Sequence, residues 1–311
     1  MARTYSLSEP VAETLNILAE RAKEFNEQEY PVKVKALNLT GSSVREAVIP
    51  IIPNDIDVIV VCGDVHPEYS RFCETLFHNL SDIMKEAERI KRARGSRRMT
   101  AEDVTAAAYG IMDEKWICWL SLLPVEYVRK MSIDPPTFAC RYLMRGQKAR
   151  NAPQLTFLYH VRDFPAVEVW SSSKQSVKTE FSEGEIAQYL RDERKTLHRR
   201  FKQLEEAVRS QIRILDTPAI YHRTLWRIHE TKEKRGEDGE NWLPKAAESL
   251  LDRVQTLLSS EWSSVEELAE LNTSTSHALK VFAALGYTDR TGKFPKYVME
   301  EALYLREHFQ S

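Results

Sequence analysis

Two short β-type segments joined by a run of small residues set the frame of this chain. From Pro31 the sequence reads PVKVKALNL, in which Val32, Val34 and Ala36 alternate with lysines and Asn38. A period of two is the mark of a half-buried strand. The turn Thr40-Gly41-Ser42-Ser43 follows, then a stretch to Pro50 and Pro53. After Asn54 comes DIDVIVVC, short and rich in β-branched residues, which predicts a buried strand from Asp55 to Cys62.

Each part of this segment has a chemical reading. Glycine at the end of a strand lets a bulky phosphate approach the backbone closely. Backbone N–H groups at such a turn, opening onto a helix, form a cradle for anions. Ser42 and Ser43 add hydroxyl donors there, and Arg45 adds a fixed charge within one helical turn. Asp55 and Asp57 stand two apart on the second strand. That spacing puts both carboxylates on one face, roughly 7 Å apart at the backbone, while Ile56, Val58 and Val60 face the other way. Two neighbouring carboxylates repel unless a cation sits between them, and Mg²⁺ is suited by its preference for oxygen ligands and nucleotide phosphates.

The pattern Gly41-Ser42, twelve residues (43–54), then Asp55-Ile56-Asp57-Val58 resembles the signature of the DNA polymerase β-type nucleotidyltransferase superfamily. Arg45 matches the frequent Gly-Ser-x-x-Arg form, and a helix followed by a strand upstream fits the family order. The resemblance covers residues 11–62. Thr40 replaces the usual hydrophobic residue before the glycine, and Glu46 stands where a glycine often follows the arginine. Neither change removes a ligand.

The resemblance implies a two-metal transfer of an NMP from an NTP, such as ATP, to an acceptor hydroxyl. Asp55 and Asp57 would bind both Mg²⁺ ions, and Gly41 and Ser42 would hold the β- and γ-phosphates. A third carboxylate on a neighbouring strand is also implied. Glu168 is the first choice, because Val167-Glu168-Val169 places one acid within an apolar strand; Asp163 is second and Asp134 third. The long separation of Asp57 from Glu168 then requires a mainly helical insertion at about 66–150.

The rest of the chain is read as mostly helical. Val11, Leu15, Leu18, Ala22 and Phe25 form one apolar stripe, as do Phe72, Leu76, Leu80, Ile83, Ala87 and Ile90 over 70–92. Thr100 with Asp103 predicts a helix running to about Met112. LTFLYHV (155–161) and AVEVW (166–170) predict two strands around a turn at Asp163–Pro165. A charged helix is expected from Ser182 to about Ile214, with Leu190, Leu197, Phe201, Leu204 and Val208 as its stripe. Near the end, a Ser264-x-x-Glu267 capping box, a polar break at Asn272–Ser276, a helix ending at Gly286 and a basic segment from Arg290 to Lys296 resemble a winged helix-turn-helix.

The expected fold class is therefore α+β: a nucleotidyltransferase palm with a small mixed sheet over 1–175, a helical region over 176–241, and a winged-helix-like domain over 242–311. Arg92, Arg94, Arg97 and Arg98 belong to a dense basic run that would contact polynucleotide phosphates, with Arg141–Arg150 as a further basic stretch. These patches favour an RNA 3′ end as acceptor over a protein side chain or a small molecule. The other reading is a non-catalytic nucleic-acid-binding protein acting through the C-terminal helix-turn-helix.

Composition narrows the classes. Of 311 residues, 42% are hydrophobic and 29% charged, which excludes full disorder and a collagen-like chain. A net charge of −2 confines nucleic-acid binding to local patches. No apolar run reaches the length of a membrane span, and residues 1–10 lack a secretory pattern, so no membrane partner is expected. Cys62, Cys73, Cys118 and Cys140 form no CxxC pair and read as free thiols in the cytoplasm. Gly63-Asp64-Val65-His66 resembles the first motif of metallophosphoesterases, but that family's later motifs are absent and the segment reads as a strand-end loop.

Overall fold

The computed structural model describes residues 3–27, 33–51, 56–64, 105–112, 115–122, 165–210, 219–233, 242–288, 294 and 296–310. The expected helix over 70–92, the basic residues Arg92, Arg94, Arg97 and Arg98, the stretch Arg141–Arg150 and the strand 155–161 lie outside these residues. The chain divides into two compact units, Met1–Tyr189 and Leu190–Ser311. It is a mixed α+β protein, mostly helical, with small antiparallel sheets.

The first unit begins with β1 (Thr4–Ser6) and α1 (Glu9–Glu27), then β2 (Val34–Thr40), α2 (Ser42–Arg45) and β3 (Ile56–Asp64). The hairpin strands β4 (Thr105–Met112) and β5 (Lys115–Leu122) follow, then β6 (Val167–Ser171), β7 (Glu180–Ser182) and α3 (Glu183–Ser210), within which the division of the units falls. Five strands form one sheet in the order β4-β5-β3-β2-β6, and β1 pairs with β7 in a second, two-stranded sheet. Among the described residues every pairing is antiparallel, where the sequence led us to expect a mixed sheet.

The apolar stripe of α1 is buried as the spacing predicts: Val11, Leu15, Leu18, Ala22 and Phe25 are all in the core. β2 is more enclosed than its alternation suggested. It lies between β3 and β6, and Leu37, Leu39 and Thr40 are all fully buried. The expected helix from Thr100 to Met112 is not formed over its described part. Thr105–Met112 is a strand, paired with β5 from Thr105↔Leu122 to Met112↔Lys115. Its alanines favour helix in isolation, but a ladder to a neighbouring strand overrides so weak a preference. The segment between Asp57 and Glu168 is thus not simply helical, since it adds two strands to the sheet.

The second unit contains the rest of α3, then α4 (Ala219–Glu233), α5 (Trp242–Ser259), α6 (Val265–Leu285) and α7 (Lys296–Gln310). One core joins Leu197, Phe201 and Leu204 of α3 to Leu225 of α4, Leu250 of α5, Phe282 of α6 and Val298 of α7. This core takes residues from both sides of the expected boundary at 241/242.

Ser264 caps α6 and accepts the Glu267 N–H at 3.2 Å, as the capping box predicts. The Glu267 carboxylate reaches one residue further back, to the Ser263 N–H at 2.7 Å. The expected break at Asn272–Ser276 is absent, because α6 runs unbroken from Val265 to Leu285. The hydroxyls of Thr273 and Thr275 donate to Ala269 O at 2.8 Å and Leu271 O at 2.7 Å, so they are satisfied without leaving the helix. The turn of a helix-turn-helix is thereby lost. Gly286 ends the helix in an ordinary right-handed conformation, with φ −69°. Its role is space: a Cβ there would lie 2.6 Å from Thr224 Oγ1 on α4.

Candidate functional site

The site is built where β2 turns into α2 against β3. Gly41 ends β2 with φ 72° and ψ −144°, a conformation that side chains other than glycine's resist. Thr40 pairs with Asp57 across the β2–β3 ladder, so both side chains share one face of the sheet. A Cβ on Gly41 would lie 3.0 Å from Asp57 Oδ2. The carboxylate therefore occupies the space that glycine leaves open, and Asp57 and the Gly41 turn are brought together as the sequence predicts. Asp55 lies outside the described residues, one position before β3.

Glu168 is placed by an irregularity. β6 pairs with β2 as Leu37↔Trp170 and then Asn38↔Glu168, a register shift of one residue. Without the shift Glu168 would oppose Leu39 and face the apolar side. A bulge turns every later side chain to the other face. Glu168 thus shares the face of Asn38, Thr40 and Asp57, while Val169 and Trp170 are both buried. Asp57 and Glu168 stand on strands either side of β2, about 12 Å apart in backbone terms, by two strand spacings across the sheet and two residues along it. Glu168 is half-exposed, and its carboxylate lies 3.7 Å from Lys174 Nζ. Asp57's own rung leads towards the start of β6, where Thr40 Oγ1 donates to Pro165 O at 2.7 Å. Asp163, the second choice, and Asp134 are outside the described residues.

The residues expected to hold phosphates divide three ways. The Gly41 N–H is already bound: it donates to Tyr189 Oη at 2.8 Å. Gly41 thus contributes room and not a donor. Ser42 is partly exposed, whereas Ser43 is fully buried. Arg45 is 4% exposed, so its side chain lies inside the unit. Tyr189 has no sequence signal: an aromatic in a helical stripe reads as core, and only the fold brings its hydroxyl to Gly41.

Asn38 adds a polar group between the two carboxylate-bearing strands. Its Oδ1 is buried without a hydrogen-bond partner.

Comparison of the chain with family models, with curated proteins and with solved structures finds no match.

Proposed function

We propose that this protein is a magnesium-dependent nucleotidyltransferase that moves an NMP from an NTP to an acceptor hydroxyl. The five-stranded sheet is its palm, and an RNA 3′ end is the favoured acceptor. One observation carries the reading: the Asp57 carboxylate lies against a glycine turn whose side-chain space it fills.

The residues suit the metal by their chemistry, since Asp57, with Asp55 before it and Glu168 on the same sheet face, offers hard oxygen donors. Bound Mg²⁺ would lower the pKa of the acceptor hydroxyl and neutralise charge on the leaving pyrophosphate. In the transfer, the acceptor oxygen forms a bond to the α-phosphorus while the bond to the β-phosphate oxygen breaks. Pyrophosphate leaves with that electron pair, and the acceptor's proton passes to solvent. Ser42, partly exposed at the first position of α2, would offer its hydroxyl to a phosphate oxygen. Gly41 keeps the approach clear.

The alternative, nucleic-acid binding through a C-terminal helix-turn-helix, loses its basis in the unbroken α6.

The test is incubation with each α-³²P-labelled NTP, Mg²⁺ and total RNA or protein. Wild type should transfer label, and Asp57→Ala should transfer none while melting as wild type does. Absence of label from the wild-type reaction, or transfer by Asp57→Ala at the wild-type rate, would refute the proposal.

A further inference from the structure

We infer that Tyr189 is a positioning residue for this site, its hydroxyl setting the backbone of Gly41 and so the space in which Asp57 lies. The inference rests on the nucleotidyl-transfer reading above and adds a residue to it. Tyr189 Oη accepts the Gly41 N–H at 2.8 Å and lies 3.4 Å from Gly41 O, to which it can donate. One hydroxyl therefore holds both polar groups of a single glycine. Glycine has no side chain to restrict its own φ and ψ, so the value of 72° must be held from outside. The angle matters because the neighbouring space belongs to Asp57 Oδ2, 3.0 Å from where a Cβ would stand.

The clasp is itself firmly mounted. Tyr189 is 3% exposed and sits in the second turn of α3. The Glu185 carboxylate fixes the first turn, accepting from the Ser182 N–H and the Ser182 hydroxyl, each at 2.9 Å. Ser182 in turn belongs to β7, paired with β1 through Thr4↔Ser182. Strand pairing, capping box and tyrosine thus form a continuous support ending at Gly41.

Tyr189→Phe removes the hydroxyl and keeps the ring. Ile186→Val, at a fully buried position of the same helix, is the control for a purely structural loss. Binding of Mg²⁺ with α,β-methylene-ATP is measured by calorimetry, and KM and kcat for labelled NTP are measured alongside, both well below the lowest Tm. We expect Tyr189→Phe to weaken analogue binding and raise KM about five- to tenfold, the size of one hydrogen bond. Ile186→Val should lower Tm and bind as wild type. Binding by Tyr189→Phe within about twofold of wild type, or equal weakening in Ile186→Val, overturns the inference alone. If wild type binds no nucleotide, the nucleotidyl-transfer reading falls and this inference with it.

Discussion

The two units differ in how particular polar side chains are met. In the Leu190–Ser311 unit Arg194, Asn272 and Thr224 reach helix backbone. Arg194 donates to Leu257 O at 2.8 Å and Leu258 O at 2.9 Å, closing the end of α5. Asn272 donates to Leu190 O at 2.9 Å and Glu193 Oε2 at 3.0 Å, and Thr224 donates to Ala283 O at 2.9 Å. In the Met1–Tyr189 unit one sheet face carries Asp57, Asn38 and Glu168, and Asn38 Oδ1 has no partner. Burying an acceptor without a donor costs about 1–3 kcal/mol. The positive φ of Gly41, open to glycine without strain, lies at the end of the same strand. The polar groups named in the second unit join helices; in the first, Asn38 Oδ1 is left unmatched on the face that carries Asp57 and Glu168.

This contrast can be broken by substitution. The largest effect is expected from Phe282→Ala, which empties a fully buried position of the second unit's core. It should cost about 3–5 kcal/mol in denaturant unfolding. Arg194→Met should cost about 2–3 kcal/mol, because the end carbonyls of α5 lose a charged donor. A loss below about 0.5 kcal/mol would show that this network is not structural. Gly41→Ala should lose about 1–2 kcal/mol from its positive φ. Unlike Arg194→Met, it should also abolish nucleotide incorporation assayed below its Tm, since the added Cβ crowds Asp57.

The smallest effect concerns pH. The Lys178 ammonium, then the Ser182 N–H and hydroxyl, hold the Glu185 carboxyl down to about 2 from 4.5. Its folded pKa lies below its unfolded one, so its stabilisation is complete above about pH 4.5 and lost as pH falls towards 2. Because the group is half-exposed, the effect is that of a surface pair, below about 1 kcal/mol. Lys178→Ala should flatten that part of the stability–pH curve.

Much of the second unit was legible because helices announce themselves locally. The stripe Leu197, Phe201, Leu204 and Val208 and the Ser264–Glu267 cap are patterns of near neighbours, and both are realised. The break expected at Asn272 failed for a physical reason: Thr273 and Thr275 bond back along the helix, and Asn272 bonds to α3. Sequence shows the polarity of such residues but not their partners. In the first unit, β2, β3 and β6 were legible from alternation and β-branching. The strand Thr105–Met112 was not, since its alanines carry no strand signal until β5 pairs with them. The Gly41–Asp57 juxtaposition could be read from spacing. The bulge that turns Glu168 to Asp57's face, and the hydroxyl of Tyr189 on Gly41, arise from contacts between residues far apart in the chain.

The central claim is that Asp57 and its neighbours bind divalent metal for a nucleotide. Titration of Mn²⁺, followed by its electron paramagnetic resonance signal with α,β-methylene-ATP present, tests it most directly. Wild type should bind two Mn²⁺ per chain beyond those held by free nucleotide, and Asp57→Asn should lose both or bind them at least about tenfold more weakly. Equal Mn²⁺ binding by the two proteins would contradict the account.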